Sequence, residues 1–462
     1  MKNPLKYSLY KDSEVEWLHE IPSHWNIVKA KRIFHETSIK NHPDEPLLAA
    51  TQTKGVIPKS LYENTTVTAT KNFETLKFVK RGDFVISLRS FQGGIEYAHY
   101  QGIISPAYTI LEPQEEVVHK YYRYLLKSKH YISGLTLLVT GIREGQNIDT
   151  GKFKDSFLPL PPHEEQIIIA DFLDYKLSKI DRFISKKKQI IKLLNEQKAG
   201  IINHAVTKGL DPNATMKDSG IEWLGDIPKH WEVRKLKYVA KTVLGKMLCN
   251  EDKGNYFKKP YLKSKNIQWL NVDISDVEEM WFSDKELIQY RLKKNDLVLS
   301  EGGEVGKTCL WNEELKECYI QNSAHKVTLN NENLAEFYLY LFFLYGKKGA
   351  FDAITNKVSI GHLTKDKLIN LKCLCPSLSE QTAIVSHIEK ETTIINKTII
   401  TIEKEIALTQ EYRTALIAEA VTGKIDVRAF VIPAVSVQEE LYEEIEEELD
   451  MVAEDAESYE NE

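Results

Sequence analysis

The sequence has few cysteines and no long apolar run, and each shortage excludes a class of protein. Five cysteines occur in 462 residues, all in the second half: Cys249, Cys309, Cys318, Cys373 and Cys375. Their odd number, with no second Cys/His pair at zinc spacing, argues against a disulfide framework or a zinc site and predicts buried free thiols. The most apolar stretch, "LAEFYLYLFFLYG" (334–346), contains Glu336 and is too short to cross a bilayer. Because the N-terminus also lacks the apolar core of a signal peptide, we expect a cytoplasmic protein with no membrane partner.

An intact catalytic or cofactor motif is also lacking. "GGEVGKT" (302–308) is similar to a phosphate-binding loop, but that loop needs four residues between its glycines, and here three separate Gly302 from Gly306. Glu301 would place a carboxylate beside the phosphate, which is the wrong charge. No set of nucleophile, base and orienting group, and no metal-ligand spacing, accompanies it. We therefore expect no catalytic residue, metal or cofactor in this chain, and keep a nucleotide-dependent enzyme using Gly302–Thr308 as an alternative.

Basic residues are missing from the C-terminus. Residues 439–462 contain 13 acidic side chains and no Lys or Arg, whereas the whole chain has a net charge of −6. Without this stretch the remainder carries 61 basic and 54 acidic residues, a net charge of +7. We predict a disordered acidic tail over residues 426–462. The mildly basic remainder is compatible with a polyanionic partner.

What the sequence does contain is an internal repeat. "DSEVEWLHEIPSHWNIVKAKRI", from Asp12, and "DSGIEWLGDIPKHWEVRKLKYV", from Asp218, are identical at 11 of 22 positions. "RGDFVISL" (81–88) matches "KNDLVLSE" (294–301), and "LPLPPHEEQ" (158–166) matches "KCLCPSLSEQ" (372–381). Each copy is therefore predicted to be one globular domain followed by one helical segment. Short apolar runs bounded by Gly, Asp and Asn predict β-rich domains, with additional helices over 117–131 and 334–349.

The two helical segments carry apolar residues at alternating spacings of three and four, the seam of a coiled coil. We predict an α+β fold of two similar β-rich domains, residues 1–161 and 211–376, with repeated helices over 162–210 and 377–425. A run of about 42 residues gives each helix a length of about 63 Å, so we expect the helices to pair antiparallel, as the two halves of an internal pseudo-twofold repeat. The predicted seam residues are Leu173, Leu177, Ile180, Ile184, Ile191, Leu194, Ile388, Ile395, Ile399, Ile402 and Ile406.

These motifs, in this order and duplication, resemble the specificity subunit of Type I restriction-modification systems. The matching stretches are "EWLGDIPKHWEV", "TGIREGQNI" (140–148) and the two "EQ" segments that lead into the long helices. The resemblance implies that each domain reads one half of an asymmetric bipartite double-stranded DNA site. It implies that the helices set the spacing and dock two methyltransferase subunits, and that a restriction motor-nuclease subunit joins the complex. S-adenosylmethionine, ATP and Mg²⁺ would bind to these partners, so this chain would be non-catalytic. A protein-only coiled-coil scaffold is the other alternative.

Candidate DNA-binding residues follow from side-chain chemistry near the predicted turns and loops. In the first domain, Arg and Gln or Asn side chains can make paired hydrogen bonds to bases. In the second, a lysine cluster suits phosphates, which position a protein without specifying sequence. For each residue, a solvated surface role or support of a turn is the alternative. The first domain offers Arg89 and Gln92 beside a Gly-Gly turn, and Arg143, Gln146 and Asn147. The second offers Lys307, Asn322, Lys357, Ser359, Lys258, Lys259, Lys263 and Lys265.

Overall fold

The chain folds into two compact units. The computed structural model describes residues 6–62, 72–135, 138–140, 147–355 and 362–433. Unit 1 comprises Met1–Lys186 with Glu405–Glu462, and unit 2 comprises Lys187–Lys404. We call residues 1–161 domain 1 and residues 211–376 domain 2. Each unit thus contains one domain and one half of each long helix.

The long helices are continuous and cross from one unit into the other. Helix α5 (His163–Lys208) has 46 residues and α10 (Leu378–Val421) has 44. Their lengths are about 69 and 66 Å at 1.5 Å per residue. Within the described residues, no helix is apolar over a stretch long enough to span a membrane.

In unit 1 the strands are β1 (Tyr10–Asp12), β2 (Glu20–Pro22), β3 (Asn26–Lys29), β4 (Phe34–Thr37), β5 (Leu48–Thr51), β6 (Gly55–Pro58), β7 (Lys77–Val79), β8 (Phe84–Ile86), β9 (Glu96–Tyr97), β10 (Gly102–Ile104), β11 (Thr109–Pro113), β12 (Val139–Thr140), β13 (Asn147–Ile148) and β14 (Phe157–Leu160). Its helices before α5 are α1 (Ser90–Gly93), α2 (His119–Leu125), α3 (Lys129–Leu135) and α4 (Thr150–Asp155). An antiparallel sheet in the order β4-β11-β8-β9 forms the centre of domain 1.

In unit 2 the strands are β15 (Met216–Asp218), β16 (Asp226–Pro228), β17 (Glu232–Lys235), β18 (Ala240–Leu244), β19 (Phe257–Leu262), β20 (Ile267–Gln268), β21 (Asn271–Val272), β22 (Glu278–Phe282), β23 (Asp296–Ser300), β24 (Thr308–Trp311), β25 (Tyr319–Ile320), β26 (Ala324–Leu329) and β27 (Lys372–Cys375). Its helices before α10 are α6 (Asp284–Tyr290), α7 (Ala335–Lys347), α8 (Ala350–Ile354) and α9 (Lys365–Ile369). The order β18-β26-β23-β24 repeats the sheet of domain 1, and β19 adds a second sheet with β22 and β25.

The apolar runs predicted as strands are the buried centres of these sheets. All three residues of β8 and all five of β23 are buried, as expected for strands covered on both faces. Leu111 of β11 lies opposite Phe84, and Val327 of β26 lies opposite Leu297, which matches Phe84 in the repeat. The repeat in sequence is therefore a repeat in sheet order and register.

The predicted antiparallel pairing of the helices is confirmed within each unit. In unit 1, Leu173 and Leu177 near the start of α5 share a core with Leu416 and Ala420 near the end of α10. In unit 2, the end of α5 and the start of α10 share another core. Of the seam residues, the structure buries Leu173, Leu177, Ile184, Ile388, Ile395 and Ile402, and half-buries Ile180, Ile191, Leu194, Ile399 and Ile406.

Polar contacts between the helices follow the same antiparallel register. In unit 1, Arg413 donates to the Asp181 carboxylate at 2.9 and 3.3 Å. In unit 2, Lys198 Nζ donates to Asn396 Oδ1 at 2.9 Å. Facing residues of an antiparallel pair have residue numbers with a constant sum, and in both pairs this sum is 594. Lys198 and Arg413, which stand at seam positions of their helices, thus each pair with the facing helix.

The end of the chain returns to its beginning in unit 1. Gly423, with φ +71°, ends α10 so close to Pro22 that a Cβ would lie 2.4 Å from its Cδ. In unit 2, Gly209 ends α5 with φ +72° beside Pro228 and Trp231. The segment after α10 therefore contacts residues near the N-terminus much as the segment after α5 contacts domain 2.

Candidate DNA interface

The repeated "HW" and "EQ" motifs form a polar clamp at the start of each long helix. In unit 1, the buried Glu165 carboxylate accepts from Trp25 Nε1 at 3.0 Å, from His24 Nε2 at 2.8 Å and from the Tyr7 hydroxyl. Its neighbour Gln166 accepts from the Val118 backbone N–H at 3.1 Å and donates to a backbone carbonyl. The histidine and tryptophan of this motif are thus structural.

Unit 2 has the same clamp, but its glutamate and histidine side chains are more exposed to solvent. Glu380 accepts from His230 Nε2 at 2.7 Å and from Trp231 Nε1 at 3.2 Å. Gln381 accepts from the Leu334 backbone N–H at 2.7 Å. The sequence shows both histidines within a repeated motif, but it does not identify the glutamates as their acceptors. The signal that could have found them is that both motifs recur, in the same order, in the two copies.

In domain 1, two candidate residues are brought together on one short helix. Arg89 precedes α1 and Gln92 lies within it, and both are exposed. No ion pair of Arg89 exists among the described residues. Arg89 also lines a groove of about 850 Å³ with Gln52, Ser105 and Tyr108. The groove thus combines an arginine with further hydrogen-bonding groups.

A buried ion pair holds this turn in place. Lys127 Nζ donates to both oxygens of Glu96, at 2.9 and 2.8 Å, and to the carbonyls of Gly93 at 2.7 Å and Gln52 at 2.9 Å. Burial raises the pKa of Glu96 to about 7 although Lys127 opposes the shift. One lysine therefore ties the end of α1 to the β5–β6 hairpin. Sequence reasoning missed this pair because 31 residues separate its members.

In domain 2, the turn after β23 corresponds to the Arg89 turn after β8 in domain 1, and it is a β-hairpin turn. Strands β23 and β24 pair antiparallel, and Ser300 N–H donates to the Lys307 carbonyl at 2.8 Å. Gly306, with φ +79°, packs so tightly that a Cβ would lie 2.2 Å from the Phe351 ring. A phosphate-binding loop instead connects a strand to a helix. Residues 302–307 instead connect two paired strands, which is not the setting of a phosphate-binding loop.

The side chains of this hairpin are engaged internally. Lys307 Nζ lies 2.6 Å from Glu304 Oε2 and 3.2 Å from Gln268 Oε1. Thr308 is buried, and its hydroxyl donates to the Gly306 carbonyl at 2.8 Å. To bind a phosphate, Lys307 would have to break its ion pair with Glu304. As a DNA contact it stays a prediction.

The four lysines predicted to contact phosphates lie along β19 and just after it, and each faces a carboxylate. Lys258 lies 3.8 Å from Glu279, and Lys259 lies 2.6 Å from Glu317. Lys263 pairs with Glu278, and Lys265 pairs with Asp276. Hydrogen bonds from Lys263 and Tyr261 lower the pKa of Glu278 to about 2. The cluster carries little net charge, so its role with phosphates also stays a prediction.

The remaining candidates are only partly described. Asn322, between β25 and β26, is half-buried, and its Oδ1 accepts from Gln321 Nε2 at 2.6 Å. Asn147 is described as the first residue of β13, but its side chain lies outside the described residues. Arg143, Gln146, Lys357, Ser359 and the acidic stretch 439–462 also lie outside them.

Cysteine and metal chemistry are also constrained by the structure. The cysteines are free, four of them buried and Cys375 half-buried, and burial raises the pKa of Cys309, Cys318 and Cys373. Within the described part of the chain, no group of three or more His, Cys, Asp or Glu side chains is placed to hold a metal ion.

Comparison with known proteins agrees with this fold. The family described as Type I restriction modification DNA specificity domain matches residues 22–196 and 228–406. The MjaVIII Type I specificity subunit of Methanocaldococcus jannaschii is 25% identical over 371 residues, covering 76% of this chain and 80% of the relative. The EcoKI specificity subunit of Escherichia coli is 24% identical over 331 residues, covering 68% of each chain.

A solved structure has a similar fold. A chain from a study of assembly and conformational transition of the type I R-M system superposes with a TM-score of 0.60 at 16% sequence identity. The match covers 88% of this chain and 99% of the other. Since the family's pattern occurs twice and covers more than half of the sequence, this chain belongs to the family of Type I restriction-modification DNA specificity proteins.

Proposed function

We propose that this chain is the cytoplasmic, non-catalytic DNA-specificity subunit of a Type I restriction-modification complex. Domain 1 and domain 2 each read one half of an asymmetric bipartite site in duplex DNA. The observation that carries the proposal is that one sheet order and one clamp occur twice, while the turns beyond the strands differ. S-adenosylmethionine, ATP and Mg²⁺ bind to the methyltransferase and motor-nuclease subunits.

Domain 1 offers the more concrete reading surface. Arg89 and Gln92 are exposed on one short helix beside the groove, and Lys127 fixes the backbone that carries them. Arginine pairs with guanine and glutamine with adenine through two hydrogen bonds each, and a good pair is worth about 1–3 kcal/mol against the wrong base. We therefore assign Arg89 to direct contact with a base.

This assignment is tested by methylation of a DNA library in which each half-site is randomised in turn. With the complete complex, Arg89→Ala should reduce base discrimination about 10- to 100-fold at one or two positions of one half-site, since 1.4 kcal/mol is a factor of ten. The other half-site should be read as before. Arg32→Ala, which removes another exposed arginine that does not line the groove, serves as the control.

Two outcomes would count against the proposal. Equal losses at both half-sites in Arg89→Ala would mean a contact to phosphate or a folding defect. Methylation that is independent of sequence in both half-sites, in the unmodified complex, would favour a protein-only scaffold.

The helices would dock two methyltransferase subunits. Leu193 on α5 and Leu408 on α10 occupy equivalent positions in the repeat and are 62% and 65% exposed. Exposed leucines at matched positions suit two copies of one partner, each binding to its own helix. We expect Leu193→Gln and Leu408→Gln each to remove one methyltransferase subunit per complex, and the double variant to remove both, as measured by native mass spectrometry. Retention of both subunits by the double variant would contradict this docking site.

A further inference from the structure

Helix α5 carries a stripe of aromatic and basic side chains along one outer face. Spacings of three and four residues place them on the same side of the helix. Lys176, Lys179 and Lys186 are exposed, and Phe183 is 42% exposed. We call the following set the α5 stripe: Phe172, Tyr175, Lys176, Lys179, Phe183 and Lys186. All six belong to unit 1.

The C-terminal segment already covers the first turn of the α5 stripe. The Phe430 ring packs edge-on against Phe172, with centroids 5.1 Å apart, and lies 5.7 Å from the Tyr175 ring. Nearby, the Arg428 guanidinium lies 4.8 Å from the centroid of the Tyr7 ring, which anchors the segment to domain 1. The described chain continues only to Pro433. Residues 434–462 therefore start from a point next to the α5 stripe.

The internal repeat shows that the charge of the α5 stripe is specific to this helix. The positions on α10 equivalent to the three lysines hold Glu391, Ile394 and Thr401. The helix that the C-terminal segment reaches thus has lysines at three positions where its counterpart has none, although α10 has lysines elsewhere.

Two of the acidic groups on this part of α5 are already engaged. Asp174 pairs with Arg123, and Asp181 pairs with Arg413. Lys176 and Lys179 make no ion pair within the described part of the chain; their ammonium groups lie 6.0 and 5.0 Å from the Phe172 and Tyr175 rings. Lys176 and Lys179 therefore offer positive charge next to the aromatic rings of Phe172 and Tyr175.

Residues 439–462 have the complementary chemistry. They hold 13 carboxylates and no Lys or Arg, and Leu441, Ile445, Leu449 and Val452 recur at spacings of four, four and three. That spacing is typical of one apolar face of a helix. The seven residues 434–440 can span at most about 24 Å, whereas Tyr175 and Lys186 are about 16 Å apart along α5. The acidic stretch is within reach of the whole α5 stripe.

We propose that residues 434–462 bind to the α5 stripe of their own chain, with carboxylates on the three lysines and apolar side chains against Phe183. The contact extends the one that Phe430 begins. A tail bound in this way shields the three lysines from other polyanions. The proposal concerns the isolated chain and does not depend on the proposed DNA recognition.

Carbodiimide cross-linking of the full-length chain tests the position of the tail directly, because the reagent joins a carboxylate to a nearby lysine amine. We expect tail peptides linked to Lys176, Lys179 and Lys186, and at least tenfold fewer links to the α10 lysines Lys390 and Lys397. Cross-links distributed evenly over both helices would overturn the proposal. A mixture of ¹⁴N- and ¹⁵N-labelled chains is used throughout. Links between differently labelled chains would overturn it as well, since the α5 stripe would then bind the tail of a second copy.

Limited digestion with a glutamate-specific protease provides a second measurement. The triple variant Lys176→Gln, Lys179→Gln, Lys186→Gln should release tail fragments at least fivefold faster than the unmodified chain. The matched triple variant Lys390→Gln, Lys397→Gln, Lys404→Gln on α10 should not. The unmodified chain should also be cleaved faster in 1 M salt, where the Debye length is about 3 Å. Equal cleavage rates in both triple variants, with no effect of salt, would refute the contact.

Discussion

The two clamps at the starts of α5 and α10 allow a comparison of buried and exposed hydrogen bonds within one chain. In unit 1, Glu165→Ala removes an acceptor whose side chain is 5% exposed. The Tyr7 hydroxyl and the Trp25 indole N–H are then left without it, in residues that are 5% and 0% exposed. A buried donor without a partner costs about 1–3 kcal/mol, so two cost about 2–6 kcal/mol. Because the variant also relieves the desolvation of the carboxylate, we expect a loss of about 2–3 kcal/mol.

The matched variant in unit 2 should be milder. The Glu380 side chain is 36% exposed, and its partner His230 is 59% exposed. Water can replace the lost acceptor for the histidine, which leaves chiefly the Trp231 N–H affected. Glu380→Ala should therefore cost about 1 kcal/mol.

Hydrogen–deuterium exchange can measure both effects, because it reports the free energy of opening separately for each unit. Glu165→Ala should lower protection of β3, β14 and the first turns of α5, and leave domain 2 unchanged. Glu380→Ala should affect β17, β27 and the start of α10, to a smaller extent. Glu164→Ala, at an exposed neighbouring position, is the control. Equal losses in the two clamp variants would refute the argument that burial of the donors sets the cost.

Two further predictions concern the ion pair beneath Arg89 and the long helices. Because burial raises the pKa of Glu96 from 4.5 to about 7, the folded domain retains a proton that the unfolded chain releases between these values. The stability of unit 1 should fall by up to about 3 kcal/mol as the pH rises through this range and then level off, while Glu96→Gln should show no such slope in urea titrations. Adding seven residues to both α5 and α10 preserves the seam and lengthens the pair by about 10 Å, so methylation mapping should show a gap between half-sites about three base pairs longer. An unchanged gap would mean that the helices do not set the spacing.

Features that depend on local pattern could be predicted from the sequence. The apolar residues at spacings of three and four lie on the inner side of α5 and α10, because that spacing keeps them on one face of a helix. The run "DLVLS" became β23 because a short apolar stretch between polar residues suits a strand covered on both sides. The duplication also indicated which elements correspond between the two domains.

One predicted helix is divided, for a reason that no local pattern shows. The sequence predicts a single helix over 117–131, whereas the structure has α2 and α3 with a break between Leu126 and Ser128. At the break, the Leu126 carbonyl accepts from the Ile95 N–H at 3.3 Å, and Lys127 extends to Glu96. The backbone leaves the helix to support the turn that carries Arg89, so a tertiary contact outweighs helix propensity.

The lysine cluster of domain 2 illustrates the limit of the sequence for the candidate site. The lysines lie close together in the sequence and can be recognised there as a cluster. Their partners Glu278 and Glu279 lie on the neighbouring strand β22, and Glu317 lies after β24. Whether a cluster is free to bind phosphate depends on this pairing across strands, which composition does not reveal. Exposed pairs of this kind contribute little to stability. Exchanging their carboxylates for DNA phosphates would therefore cost little.

The differences between the domains bear on the kind of site that the chain can read. A chain with two identical reading surfaces, related by the pseudo-twofold repeat, would favour a palindromic site. Here the framework is repeated, while domain 1 presents Arg89 and Gln92 on a short helix and domain 2 closes the related turn as a hairpin with Lys307 held by Glu304. In domain 2, β19 joins β22 and β25 in one sheet, whereas in domain 1 β5–β6 and β10–β7 are two separate two-stranded sheets. Two such surfaces on one repeated framework match the requirement of an asymmetric site, in which each half is a different sequence.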